Sequence, residues 1–190
     1  DNARTDIDHT TTLQNHTSMI TGRPVTGETG HQWTDNGNPK LGQNLHRNRN
    51  QYLASVFDVA HDHGLKTALY GSKTKFSLYD LSYDGQRGAP DRTGPDNGRD
   101  KIDVCMVSGA TISLVDKLVA ELKGDQPPRF AMLHLSNPDS AGHDSGWNLK
   151  SKSGDYMKSI ATVDGLIGRV LEAVESTERL RGRTAILVTA

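Results

Sequence analysis

The chain has 190 residues, enough for one large domain or for part of one. Its 22 Lys and Arg residues against 23 Asp and Glu give a formal net charge of −1, so the composition does not indicate a surface for nucleic acid or anionic membranes. The single cysteine, Cys105, excludes an internal disulfide and a thiolate metal cluster, and no apolar stretch approaches the length of a membrane span.

A short helix is predicted near the start of the chain. Its signals begin at Asn15, and Gly22 followed by Pro24 marks its end. The threonines before Asn15, among them Thr12, therefore lie just ahead of a helix N-terminus, where free N–H groups and the helix dipole favour an anion. A hydroxyl at this place is positioned to attack or hold a phosphoryl group. Ordinary helix capping is the alternative, and it is the commoner role of an isolated Ser or Thr there.

Further along, short apolar runs alternate with amphipathic helical patterns. This alternation is typical of an α/β fold with a mainly parallel sheet and helices on both faces. Four runs are predicted as strands of one sheet: 66–71, 102–107, 129–135 and 184–190. Helices are predicted between residues 50 and 64, after Thr111 and after Asp155, with Ile112 and Leu171 on the inward faces of the last two.

Segment 72–101 is predicted to be a long loop or cap region. Gly and Pro recur between residues 85 and 95, and Asp and Arg are frequent throughout the segment. A loop of this length inside a compact domain is usually functional or mobile. We therefore expect residues 1–190 to form part of one catalytic-type domain with this segment as an irregular insertion.

Two candidate metal ligands follow the predicted strand 129–135. Asp139 and His143 lie directly beyond its carboxyl end, which is where open α/β sheets bind ligands. A carboxylate and an imidazole four residues apart reach one cation if the segment makes a helical turn. A turn-capping Asp139 and a surface His143 are the alternative, because two ligands do not by themselves make a site.

Two motifs carry a resemblance to a known family. Residues 12–16 (TLQNH), followed by Thr21-Gly22 and Pro24, resemble the nucleophile segment of the type I phosphodiesterase/nucleotide pyrophosphatase family, which reads Thr-Phe-Pro-Asn-His. Residues 138–143 (PDSAGH) are similar to its metal-binding motif, Pro-Asp-Ser-x-Gly-His. The family belongs to the alkaline phosphatase superfamily, and the resemblance covers nearly the whole chain. It implies an alkaline-phosphatase-like α/β domain that is incomplete here and truncated at both ends.

The resemblance implies specific roles for four residues. Thr12 matches the nucleophile, which also contacts one of two metal ions; Asp139 and His143 match two ligands of the other; and Asn36 matches a residue that binds a phosphoryl oxygen. Two divalent ions in such sites lie ~3.5–4 Å apart and stabilise an in-line displacement, and nitrogen with carboxylate ligands favours zinc, with manganese or iron as alternatives. The resemblance also implies that a covalent phosphothreonine forms and is then hydrolysed.

The sequence departs from the family pattern in several places. Gln14 replaces a proline, and Gln32 replaces a glycine next to His31, on the path to Asn36. An upstream aspartate, an Asp-His pair after the last strand and a distant histidine have no counterpart in residues 1–190. The 190-residue chain by itself is therefore expected to be inactive.

The expected substrate is a small phosphoester or a nucleotide, hydrolysed by a zinc-dependent phosphodiesterase. A phosphonoacetate-hydrolase-like or phosphomonoesterase activity, and a catalytically silent fragment or binding module, are the alternatives. The N-terminus does not resemble a signal peptide. The resemblance nevertheless implies a periplasmic or extracellular location, since relatives are often exported.

Overall fold

The computed structural model describes residues 5–189. Helices α1 to α6 and strands β1 to β3 follow one another in a mixed order along the chain. Their bounds are α1 Thr12–Thr21, α2 Val56–His61, β1 Thr67–Gly71, α3 Ser77–Tyr83, β2 Val104–Val107, α4 Thr111–Lys123, β3 Phe130–Leu133, α5 Asn137–Ser145 and α6 Asp155–Ser176. Short 3-10 turns add Arg47–Arg49 and Thr74–Phe76.

The three strands form one parallel sheet in the order β2-β1-β3. Leu69 in the central strand lies opposite Cys105 on one side and Met132 on the other. Every residue of β1 is buried, as expected for a strand with hydrogen-bonded neighbours on both sides and helices on both faces. The predicted α/β architecture with a parallel sheet is therefore confirmed.

Side chains of β1 alternate between two hydrophobic layers. Leu69 points into a layer built with α1, α2, the 3-10 turn Thr74–Phe76 and α3, whose buried members include Leu13, Ile20, Phe57, Phe76 and Tyr79. Ala68 and Tyr70 point into the opposite layer, built with α4 and α6, whose buried members include Leu114, Leu118, Leu122, Ala173 and Val174. This period-2 alternation places one helical layer on each face of the sheet.

The prediction of a fourth strand at 184–190 is wrong for residues 184–189. These residues have no regular secondary structure, and Leu187 is 89% exposed. They follow a turn at Gly182, whose φ is 66°, and no strand of the described sheet pairs with them. A strand is stable only with a hydrogen-bonded neighbour, so an apolar run alone does not make one. Ala190 lies outside the described residues.

Several helix predictions also need correction. α1 begins at Thr12, with Thr11 as N-cap, which is three residues earlier than the predicted start at Asn15. α2 is shorter than predicted and begins after a capping box between Ser55 and Asp58. Ile112 and Leu171 are exposed. The inward faces of α4 and α6 carry Leu114 and Leu166 instead.

Segment 72–101 is more regular than its composition suggests, since it contains the 3-10 turn and α3. Its later part is fixed by a buried cluster around Lys101. The Lys101 ammonium contacts the carboxylate of Asp91 and donates to the carbonyl of Gly98 at 2.9 Å, while His61 Nδ1 contacts the same carboxylate at 2.9 Å. Within residues 5–189, no helix combines the length and the apolar character that a membrane crossing requires.

Candidate active site

The candidate site lies at the carboxyl edge of the sheet. β1 ends at Gly71 and is followed by Ser72 and Lys73, and β3 ends at Leu133 and is followed by His134. The backbone N–H of His134 donates to the carbonyl of Tyr70 at 2.8 Å, which extends the β1–β3 pairing by one residue. The segments after these two strands are therefore held side by side, where parallel sheets bind their ligands.

Asp139 and His143 lie on one face of α5. The helical turn that a shared cation would require is present, because both residues fall within Asn137–Ser145 at a spacing of four. Asp139 Oδ1 lies 3.7 Å from His143 Nε2. Burial acts to raise the pKa of Asp139, but the Lys73 ammonium and the two nearby histidines lower it overall. The carboxylate is thus held ionised next to an imidazole nitrogen, which suits a shared cation.

Gly142 lies between Asp139 and His143 in the sequence, and its packing explains why this residue is small. A Cβ at this position would lie 2.4 to 2.5 Å from Cε3, Cζ3 and Cδ2 of Trp147, so the indole ring packs directly on the glycine backbone. Trp147 also contacts the His143 ring edge-to-face, with 5.5 Å between ring centroids. The glycine of the PDSAGH motif therefore permits an aromatic contact that supports His143.

Thr12 is the first residue of α1, and Asn36 reaches the same helix end. Asn36 Oδ1 accepts a hydrogen bond from the backbone N–H of Leu13 at 3.1 Å. Gln14 strengthens this link: its Nε2 donates to the carbonyl of Thr34 at 2.6 Å, and its Oε1 accepts from the Thr11 hydroxyl. The residue that replaces the family's proline thus binds the helix start to the segment that carries Asn36.

His31 and Gln32 shape the path to Asn36. His31 is fully buried: its Nδ1 accepts from the Trp33 backbone N–H at 3.0 Å, so its Nε2 carries the proton and donates to the carbonyl of Gln14 at 3.2 Å. Burial lowers the pKa of His31 to about 4. Gln32 has φ of 61°, a backbone conformation that favours glycine. The departure from the family's glycine leaves the Asn36 path intact at a cost in backbone strain.

Two histidines join α1 to the end of β3. His16 Nδ1 donates to the Thr12 carbonyl at 2.7 Å, and its ring meets the His134 ring edge-to-face at 5.0 Å. His134 Nδ1 is hydrogen-bonded to Ser72 Oγ at 2.8 Å. Burial, with the charges of His16 and Lys73, lowers the pKa of His134 to about 3, and burial also lowers the pKa of His16. Both imidazoles are therefore neutral at pH 7.

Lys73 is a site residue that sequence reasoning missed. Its Nζ donates to Asp139 Oδ2 at 2.5 Å, so the two oxygens of that carboxylate face different partners. No pattern in the sequence pairs these residues, because 66 positions separate them. Its place directly after a buried strand was the one available signal.

The arrangement provides a hydroxyl at a helix N-terminus, an amide beside it and a carboxylate–imidazole pair on α5. Asp139 and His143 fit as two ligands of a divalent cation in donor type and spacing. No group of three or more His, Cys, Asp or Glu side chains suited to a metal occurs among residues 5–189.

Comparisons with known proteins agree on one family. The family model for type I phosphodiesterase / nucleotide pyrophosphatase matches residues 4–190. Human ectonucleotide pyrophosphatase/phosphodiesterase family member 1 is 30% identical over 69 residues, which cover 36% of this chain and 7% of that protein. The structure of an inactive variant of murine ectonucleotide pyrophosphatase/phosphodiesterase 5 in complex with AMP has the same fold. Its TM-score is 0.51 at 15% identity, over 87% of this chain and 42% of that one.

Proposed function

This chain belongs to the type I phosphodiesterase/nucleotide pyrophosphatase family, and from this we propose that it hydrolyses phosphodiesters in a metal-dependent reaction through a covalent phosphothreonine at Thr12. The observation that carries the proposal is the hydrogen bond between Asn36 and the start of α1, one residue after Thr12. It brings the matched nucleophile and the matched phosphoryl-binding amide to one helix N-terminus, where an anion is stabilised.

Thr12 is the nucleophile in this mechanism. Its Oγ loses its proton and forms a bond to phosphorus while the bond between phosphorus and the leaving oxygen breaks, and that oxygen takes up a proton. Water then cleaves the phosphothreonine, which restores the Thr12 hydroxyl and releases the phosphate product. Asn36 accepts from Leu13 through Oδ1, which leaves its Nδ2 to donate to a phosphoryl oxygen. A donor of this kind contributes about 2.7–4 kcal/mol in comparable oxyanion sites.

Asp139 and His143 are proposed to hold one of two divalent ions, with zinc favoured by the ligand types, and Thr12 to contact the other. Such ions, when bound, would supply positive charge near the Thr12 hydroxyl and the leaving oxygen. Catalytic zinc normally has three protein ligands, and two are identified here. The 190-residue chain should therefore hold metal weakly and show negligible hydrolysis, and activity is expected in the protein at its full natural length.

The proposed substrate is a nucleotide or a related small phosphodiester. The family and the AMP complex of the murine relative support this class. The chain spans 42% of that structure and 7% of the human relative, so the activity of the whole protein is part of the proposal.

The test is hydrolysis of bis(p-nitrophenyl) phosphate by the full-length protein with added zinc or manganese. Thr12→Ala should abolish turnover with an unchanged circular dichroism spectrum, because it removes the nucleophile without changing the core. Thr12→Ser should retain activity, and Thr10→Ala, at an exposed neighbouring position, should behave like the parent.

Near-normal turnover by Thr12→Ala would disprove the nucleophile assignment. If the parent hydrolyses only the corresponding phosphomonoester or phosphonoacetate, the protein has one of the alternative activities instead. A parent that hydrolyses none of the three would be a silent member that retains the fold.

A further inference from the structure

Lys73 occupies an unusual place for a lysine, directly against a candidate metal ligand. Its Nζ lies 2.5 Å from Asp139 Oδ2, and Asp139 Oδ1 lies 3.7 Å from His143 Nε2. The side chain of Lys73 is 22% exposed. A positive charge is thus already bound to the carboxylate that the proposed metal requires.

We propose that Lys73 is a tethered cation that competes with the divalent metal for Asp139 and, once the metal binds, pairs with the anionic phosphoryl group of the substrate. The inference rests on the proposed function, since it assumes a metal at Asp139 and His143 and a phosphodiester beside them.

The competition follows from charge. With Lys73 bound, the carboxylate is already neutralised, so an arriving metal must break the ion pair and then tolerate an ammonium a few ångström away. Screening by water is reduced because Lys73 is mostly buried and Asp139 is less than half exposed. Removing the ammonium should therefore tighten metal binding.

The competing explanation is that Lys73 orients Asp139 for the metal. It predicts that removing the ammonium weakens metal binding. Outer partners that fix a ligand usually increase metal affinity, and their loss weakens it by about 10- to 100-fold. Such partners are typically carboxylates, carbonyls or waters bound to histidine ligands, and they do not bring a full positive charge next to the metal. The sign of the change in metal affinity therefore separates the two roles.

The phosphoryl partner follows from what surrounds Lys73. The ionisable side chains around Lys73 include Asp139, Lys75, His16 and His134. Asp139 is the acid that pairs directly with the Lys73 ammonium, at 2.5 Å. When a metal takes Asp139, Lys73 loses this partner, and the substrate's phosphoryl group is an anion that a lysine binds as a point charge.

The test compares Lys73→Met with the parent in the full-length protein. Zinc affinity is measured by competition with a chromogenic chelator, and KM is measured for bis(p-nitrophenyl) phosphate. Lys73→Met should bind zinc about 10-fold more tightly, while its KM rises about 10-fold, because the two partners of the ammonium respond in opposite directions. Lys73→Arg keeps the charge and should stay within about 3-fold of the parent in both measurements. Lys117→Met is the matched control, since Lys117 pairs with Glu121 at 2.8 Å on the exposed side of α4, and it should change neither quantity.

Weaker zinc binding by Lys73→Met would assign Lys73 an orienting role and overturn the proposal. Tighter zinc binding with an unchanged KM would also overturn it, because the phosphoryl partner would be missing. Lys73→Gln serves as a second neutral variant if Lys73→Met fails to fold. If the parent binds zinc and hydrolyses the diester, and both neutral variants have the parent's zinc affinity and KM, this inference is wrong while the proposed function stands. A parent that neither binds zinc nor hydrolyses the diester overturns the proposed function and this inference together.

Discussion

Asn36 Oδ1 accepts a hydrogen bond from the backbone N–H of Leu13 at 3.1 Å, across 23 positions of sequence. This contact fixes a side-chain amide at the N-terminus of α1, next to Thr12. An N–H group there has no partner within its own helix, so the contact satisfies a donor and orients the amide at the same time.

Asn36→Ala should slow diester hydrolysis by roughly 10²–10³-fold, because it removes a donor to the phosphoryl oxygen. The lost hydrogen bond to Leu13 should cost about 0.5–1.5 kcal/mol of folding free energy. Steady-state kinetics on the full-length protein and urea unfolding measure the two effects. Asn38→Ala, at an exposed position two residues on, is the control. A loss of stability without a loss in kcat would give Asn36 a purely structural role.

The buried His31 predicts a pH dependence of stability. Burial lowers its pKa to about 4, from the usual 6.5 of a histidine, so the unfolded state binds more protons between these values. Stability is therefore fully present above pH 6.5 and is lost as the pH falls toward 4, by up to about 3 kcal/mol at 1.36 kcal/mol per pKa unit. Urea unfolding at pH 7 and pH 4.5 measures this loss. His31→Asn should reduce the difference between the two pH values, whereas the exposed His63→Asn should leave it unchanged.

Substitution of Lys101 should lower the free energy of unfolding more than substitution of most other residues in the chain. Its side chain and that of Asp91 are both 0% exposed, and His61 contacts the same carboxylate. Lys101→Met leaves the Asp91 carboxylate buried without its cation, which should cost about 3–5 kcal/mol. Urea unfolding is the measurement, and Lys40→Met at an exposed position is the control. A cost below about 1 kcal/mol would mean that water reaches the cluster.

Two helical glycines should respond to alanine with opposite signs. Gly165→Ala in α6 meets no atom within 4 Å and should stabilise the protein by up to about 1 kcal/mol. Gly142→Ala in α5 collides with the Trp147 ring and should destabilise it by about 1–3 kcal/mol. Thermal unfolding of both variants provides the comparison. Equal stabilisation by both would show that Trp147 moves away without cost.

The sequence by itself determined the features of this protein that depend on residues close together along the chain. Three of four predicted strands pair in one parallel sheet, and Asp139 and His143 meet the condition of a helical turn that their spacing set for a shared ligand. Hydrophobic periodicity and the Gly22 stop signal act within a few residues, so they can be read from the chain. The two motifs also identified the family.

The tertiary structure alone decided which distant side chains meet. The Lys73–Asp139 pair spans 66 positions, and the burial of Lys101 depends on a carboxylate and a histidine supplied by other segments. The apolar run at 184–189 failed as a strand for the same reason, since composition gives the tendency to pair but does not provide the neighbour. Ion pairs and sheet pairing depend on distances in space, which the chain sets only when its helices have packed on both faces of the sheet.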